Sequence, residues 1–249
     1  MGTDLQALAL RQWHDYRRRQ PGTYFAEAHP ALSRDEAYAV QIAVAELRCQ
    51  AGDAVAGYKV GCIGPAMVEQ FGMSGPIHGR LFRSELRRSA VMLAYDDYAN
   101  LAIEGEMAVR IGGDGEIEAA FPVIELHHFI FRGTPKSLPE LIANNGINAG
   151  AVLPQGIDRP PGQWAGRLSV RLNGRTIDEG ELWSMPGGAA EAVGWLRDDL
   201  ARHELTLRPG EIVLTGTPLG LHPVAPGDHV DVAIDGIPWV GCHIEPRVA

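Results

Sequence analysis

Cysteine is scarce in this chain. Cys49, Cys62 and Cys242 are its three cysteines, odd in number and far apart, with no CxxC spacing. That excludes a disulfide framework and a cysteine-built zinc site, and it reads as reduced thiols of a cytoplasmic protein. Basic charge is also short: 22 Lys and Arg face 31 Asp and Glu, a formal net charge of -9. Such a balance excludes nonspecific nucleic-acid binding. It leaves open a small anionic substrate, because a local cation or a metal can reverse the global sign. No apolar run approaches the ~20 residues of a membrane helix, so no membrane partner is expected. The first twenty residues lack the apolar core and small-residue cleavage site of a secretory leader. GxSxG, P-loop and HExxH motifs are absent. "GGAAEAVG" lacks the P-loop lysine and reads as a helix start.

What is present has a clear order. "DLQALALRQWHDYRRR" carries a rough helical stripe through Leu5, Leu8, Leu10 and Trp13. A turn-rich gap with Pro21, Gly22 and Pro30 follows. "SRDEAYAVQIAVAELRCQAG" then has Ser33 and Glu36 in capping-box spacing, with Gly52 as its stop, and predicts a second helix. From Ala54 the texture turns to short β-rich runs: "AVAGYKVGC", "LAIEGEMAVRI", "IEAAFPVIEL", "RLSVRLNGRTIDEG", "EIVLTG" and "DHVDVAIDGIPWVGCHIE". Asn173-Gly174 predicts a two-residue hairpin turn. One late helix is expected over 189–203. Helices first and then many strands predict an α+β chain, with an N-terminal helical segment over 1–53 and a β-rich mixed-sheet body over 54–249.

Within that body, "NLAIEGEMAVRIGG" sets Glu104 and Glu106 two residues apart in an apolar run. Strand alternation puts Ile103, Met107, Val109 and Ile111 on one face, and Ala102, Glu104, Glu106, Ala108 and Arg110 on the other. The two carboxylates thus share a face about 7 Å apart. Gly105 leaves the core face bare and permits close backbone approach. A lone ExE is ordinarily a solvated strand face. Here the "GGDG" turn at Gly112–Gly115 predicts a hairpin that returns Glu125 toward Glu104. Glu125 lies in the apolar run 121–126, where a charge needs a reason. Three converging carboxylates make an oxygen-rich site suited to Mg²⁺ or Mn²⁺. The adjacent His127 and His128 point to opposite strand faces and read as supporting or packing residues. Lys59 in "AGYKVGC" has two readings. It is an edge-strand lysine reaching water, or a partly buried ammonium with a depressed pKa that does acid–base work or holds an anion.

These segments, with "GYKVGCIGPAMVEQFGMSGPIHGRLF", "MPGGAAEAVGWLRDDLARHELTLRPGEIVLTGTPLG" and "PVAPGDHVDVAIDG", resemble the fumarylacetoacetate hydrolase superfamily. The branch of 2-keto-4-pentenoate hydratases and 4-oxalocrotonate decarboxylases looks closest. The resemblance implies the C-terminal-domain fold of that superfamily and a divalent metal, Mg²⁺ or Mn²⁺, held by Glu104, Glu106 and Glu125. It makes Lys59 the active-site lysine, Asn145 a substrate contact and Thr217 a pocket-lining residue. It implies a small 2-oxo acid substrate, a homo-oligomer and a partner enzyme of the same catabolic route for aromatic compounds. Three departures stand out. His78 replaces an acidic residue and is a candidate for proton transfer. Ile147 replaces a small hydroxyl residue. "TGTPLG" is nearer the hydrolase branch. A hydratase is the first expectation. A 4-oxalocrotonate-type decarboxylase, an acylpyruvate-type C–C hydrolase and an inactive assembly subunit stay open beside it.

Overall fold

The computed structural model describes residues 4–19, 32–63, 69, 75–128, 137–156 and 159–246. The expected turn-rich gap at Pro21, Gly22 and Pro30 lies outside the described residues. Helix α1, Leu5–Arg17, starts where the Asp4 side chain accepts from the amides of Gln6 and Ala7. Helix α2, Arg34–Gln50, carries the complete Ser33–Glu36 capping box, two of its orphan donors being satisfied reciprocally. Gly52, at φ +97°, takes the left-handed turn that follows. Leu8 and Ala9 of α1 and Tyr38 and Val40 of α2 bury together. They meet Leu141 and Ile142 of a short helix α3, Leu138–Ala143. No described helix is long and apolar enough to cross a membrane.

The remainder is two mixed sheets. Sheet one runs in the order β2-β1-β10-β5-β6-β7-β3, with β11 pairing β5. Its strands are β1 Val55–Gly61, β2 Ile77–Phe82, β3 Leu86–Arg88, β5 Ala102–Ile111, β6 Ile117–His127, β7 Asn148–Leu153, β10 Ile212–Leu214 and β11 His222–Pro223. Sheet two runs β4-β13-β12-β8-β9. Its strands are β4 Val91–Leu93, β13 Ile237–Ile244, β12 His229–Ile234, β8 Leu168–Leu172 and β9 Arg175–Gly180. Asn173 and Gly174 turn β8 into β9 with φ of 52° and 79°, the double-positive geometry that suits a twisted hairpin. The late helix, α4, spans Gly188–Ala201.

The main core fills the space between the sheets and α4. Ile103, Met107, Val109 and Ile111 enter it from β5, Val170 from β8, Val232 from β12, and Leu196 and Leu200 from α4. Gly105 sits in the middle of that β5 row. A Cβ built there would lie 2.6 Å from Val170 Cγ2 and 3.0 Å from Val232 Cγ2. The missing side chain is what lets sheet two seat this close. The other face of β5 is not solvated. Leu81, Ala108, Phe121, Val123, Ala151 and Leu214 form a second apolar cluster there. The carboxylates of β5 and β6 stand on this same face.

The Gly105 contact makes a specific prediction. Gly105→Ala overpacks the junction and lowers stability by about 1–3 kcal/mol, read as a shift of the urea midpoint. Adding Val170→Ala restores part of the loss. An unchanged midpoint in Gly105→Ala would mean the sheets do not pack through this point.

Candidate metal and 2-oxo acid site

The β5–β6 hairpin builds the site. Its register pairs Glu104 with Glu125, Glu106 with Val123 and Ala102 with His127. Residues paired across antiparallel strands share a face, and so do residues two apart on one strand. Glu104, Glu106, Glu125 and His127 therefore project together. Strand β10 bridges β5 to β1, with Leu214 opposite both Ala108 and Lys59. That row brings Lys59 to the same face from the far side of the sheet. Its Nζ lies 3.3 Å from Glu125 Oε1, and Asn148 Nδ2 of β7 donates to the same oxygen at 2.8 Å.

Water does not dilute these charges. Glu106 is fully buried, Glu125 is 1% exposed, and Lys59 is buried beside them, while Glu104 keeps partial access to solvent. Burial, then the charge of Glu125 and a hydrogen bond with it, pushes the Glu106 carboxyl well above the usual range. Glu125 also pays for burial, but Lys59 and His127 outweigh that and hold it below the ordinary value. Burial alone would discharge Lys59. Glu125 and Glu104 reverse the effect and raise its pKa above the ordinary lysine value. Neither expectation for this lysine describes it: β1 is an interior strand, and the ammonium is stabilised, not depressed.

A chain of tight contacts holds Lys59 in place. A Cβ on Gly61 would lie 2.7 Å from Lys59 Nζ, one on Gly146 2.7 Å from Cε, and one on Gly79 3.2 Å from Cγ. Gly146 reaches that position through three successive left-handed residues, Asn145, Gly146 and Ile147, at φ of 58°, 59° and 57°. A β-branched residue resists this conformation. It is held by Asn145, whose side chain accepts from Arg80 N at 2.6 Å and donates to Arg80 O at 2.8 Å. These bonds tie the turn to β2, beside the close approach of Gly146 to Lys59. Thr217 is similarly engaged. Its hydroxyl donates to Gly105 O at 2.7 Å and accepts from Leu219 N at 2.9 Å, next to the Gly216 amide that donates to Glu106 Oε2 at 2.6 Å.

His78 and His127 take opposite faces of sheet one. His78 does not join the carboxylates. It pairs with Val60 across β1–β2, so alternation turns it to the face opposite Lys59. There its Nδ1 lies 2.8 Å from Asp199 Oδ2 of α4 and its ring stacks on Tyr38. His127, expected only to support or pack, enters the cluster. Its Nε2 stands 3.2 Å from Glu104 Oε2 and 3.7 Å from Glu125 Oε2. Glu104, Glu125 and His127 each offer a ligand atom within 4.8 Å of the others. Glu106, the other expected ligand, shares this strand face, and its Oε2 accepts from the Gly216 amide at 2.6 Å. The signal for His127 was in the sequence: 125 and 127 share parity on their strand, as 104 and 106 do on theirs, so His127 shares the face of Glu125. His128, of the other parity, accepts from Ala99 N at 2.6 Å.

A divalent cation suits these donors. Glu106 Oε1 and both ring nitrogens of His127 are buried without a hydrogen-bond partner, and three carboxylates face one ammonium.

The sequence model of the fumarylacetoacetate (FAA) hydrolase C-terminal family matches residues 83–245. The TodF product hydratase of Pseudomonas putida is 30% identical over 218 residues, covering 82% of this chain and 81% of that protein. The 2-keto-4-pentenoate hydratase of Paraburkholderia phymatum is 26% identical, covering 85% and 86%. The solved structure of 4-oxalocrotonate decarboxylase from Pseudomonas putida G7, complexed with magnesium and adipate, superposes with a TM-score of 0.89. It does so at 19% identity, over 96% of this chain and 97% of the other.

The His78 contacts predict how stability depends on pH. Burial lowers the His78 pKa, against the pull of Asp199. The unfolded chain therefore binds this proton first, and stability is complete above about pH 6.5 and falls as pH drops below it. Burial and Arg19 take His128 down to about 4, and it contributes to the same window. His78→Asn should unfold with a shallower loss of stability between pH 7 and 5 in denaturant titrations, about two units of pH being enough to see it. An unchanged slope would remove His78 from the account.

Proposed function

The chain belongs to the FAA hydrolase family, and from that premise we propose that it is a divalent-metal-dependent hydratase of 2-hydroxy-alkadienoates or 2-oxo-alkenoates, acting in the breakdown of aromatic compounds. The observation that carries the reading is the meeting of Glu104, Glu106, Glu125 and His127 with Lys59 in one buried place. The hydratase names of its relatives support it.

When bound, a divalent cation supplies stabilisation of negative charge on the keto oxygen of a chelating 2-oxo acid. The chain's own groups do the rest. Glu104, Glu106 and Glu125 would hold the ion. Asn148 fixes the rotamer of Glu125, and the Gly216 amide fixes that of Glu106. Lys59 places a permanent positive charge at the flank, where it draws the substrate carboxylate. Burial keeps these charges at low dielectric, where each acts more strongly than in water. Hydration then adds H and OH across the conjugated C=C. The cation of this proposal is Mg²⁺ or Mn²⁺, and its location is the cytoplasm. The homo-oligomer is part of the same proposal.

Incubated with Mg²⁺ or Mn²⁺ and 2-hydroxypenta-2,4-dienoate, the purified protein should yield a 4-hydroxy-2-oxo acid, identified by mass spectrometry. CO₂ from 2-oxohex-3-enedioate would assign a decarboxylase instead, and pyruvate plus a free carboxylic acid from an acylpyruvate a hydrolase. Glu125→Gln should lower metal-dependent turnover by more than about a hundredfold. Full activity in that variant would sink the carboxylate site.

A further inference from the structure

His127 is the residue this site does not need if its metal is held by oxygen alone. It is 2% exposed, and neither ring nitrogen has a hydrogen-bond partner. A buried imidazole without partners is costly, and such groups are normally satisfied. A histidine beside two carboxylates would be expected to donate an N–H to one of them. Nε2 approaches both, at 3.2 and 3.7 Å, yet hydrogen-bonds neither. The nitrogen is instead placed among the carboxylate oxygens as a third corner, all three ligand atoms lying within 4.8 Å. A single ion roughly 2.1 Å from each donor closes such a triangle with small side-chain movements.

We propose that His127 Nε2 is a direct metal ligand, and that this nitrogen turns the site from a magnesium centre into one that prefers a first-row transition cation such as Mn²⁺, Fe²⁺ or Co²⁺. The inference rests on the metal-dependent reading above and goes beyond it in naming the donor set and the preference. The physical reason is donor softness. Mg²⁺ favours oxygen ligands and sheds water reluctantly, whereas imidazole suits transition ions, whose affinities rise from Mn²⁺ through Fe²⁺ to Co²⁺. Two carboxylates and one histidine, with remaining positions for a chelating 2-oxo acid, form the pattern of a mixed nitrogen–oxygen site. Glu106 then stays anchored by the Gly216 amide that donates to its Oε2.

The test uses metal-free full-length protein and its His127→Gln variant, the fold of each being checked by circular dichroism. Mg²⁺ and Co²⁺ are titrated separately by calorimetry. Co²⁺ affinity should fall about tenfold or more in the variant while Mg²⁺ affinity changes by less than about threefold. A parallel fall of both, or of neither, overturns the proposal. Pulsed electron paramagnetic resonance of the Mn²⁺-loaded wild type should show modulation from a directly bonded nitrogen. This measurement decides the matter if the variant does not fold, and absence of nitrogen modulation in Mn²⁺-loaded protein overturns the assignment. Binding of no divalent cation by the wild type is a different failure, because it removes the metal-dependent function itself.

Discussion

The interaction on which this structure turns is the mutual neutralisation of buried charge on one face of sheet one. Two carboxylates withdrawn from water, with a third close by, would repel one another and lose their hydration. Lys59 is the fixed cation that meets them. The arrangement survives because its partners come from four strands of one sheet. Glu104 and Glu106 belong to β5, Glu125 and His127 to β6, Asn148 to β7 and Lys59 to β1. A one-residue slip of the β5–β6 register would turn one strand's acids into the apolar core and expose its valines to the cluster. The apolar packing of the same strands makes that slip expensive. The core thus sets the register, and the register sets the charge balance.

Strand β5 shows how a single segment serves both ends. Its odd-numbered residues pack against sheet two, and its even-numbered residues build the site. Gly105 joins the two demands. It lets β8 and β12 come close on one side, while its carbonyl receives the Thr217 hydroxyl and so ties the loop after β10 to the strand that carries Glu104 and Glu106. That loop in turn gives the Gly216 amide to Glu106. Close packing of the sheets and orientation of the carboxylate are therefore one piece of geometry.

The parts legible in the sequence are those that local chemistry decides. The Ser33–Glu36 box needs only four residues, the Asn173–Gly174 turn only two, and the shared face of Glu104 and Glu106 only the alternation of a strand. The hairpin return of Glu125 was legible because the turn between β5 and β6 is short. What escaped was set by pairing between distant segments. His78 sits next to the lysine's strand, but its face depends on the β1–β2 register, and its partner Asp199 comes from α4. Asn145 bonds the backbone of Arg80, far along the chain. The three-residue strands β3, β4 and β10 are too short to show a period. His127 is the exception, since its parity with Glu125 was visible and a pair of adjacent histidines obscured it.

The glycines around Lys59 have a consequence for how a ligand would be received. A free lysine side chain samples many rotamers, and freezing it costs about 2 kcal/mol. Gly61, Gly79 and Gly146 leave a slot only as wide as the methylene chain, so that disorder is already lost when the protein folds. An arriving anion then finds its counter-charge aimed in advance, and association is relieved of an entropic penalty met once, during folding. The left-handed backbone of Ile147 is where the chain stores the cost of that preorganisation.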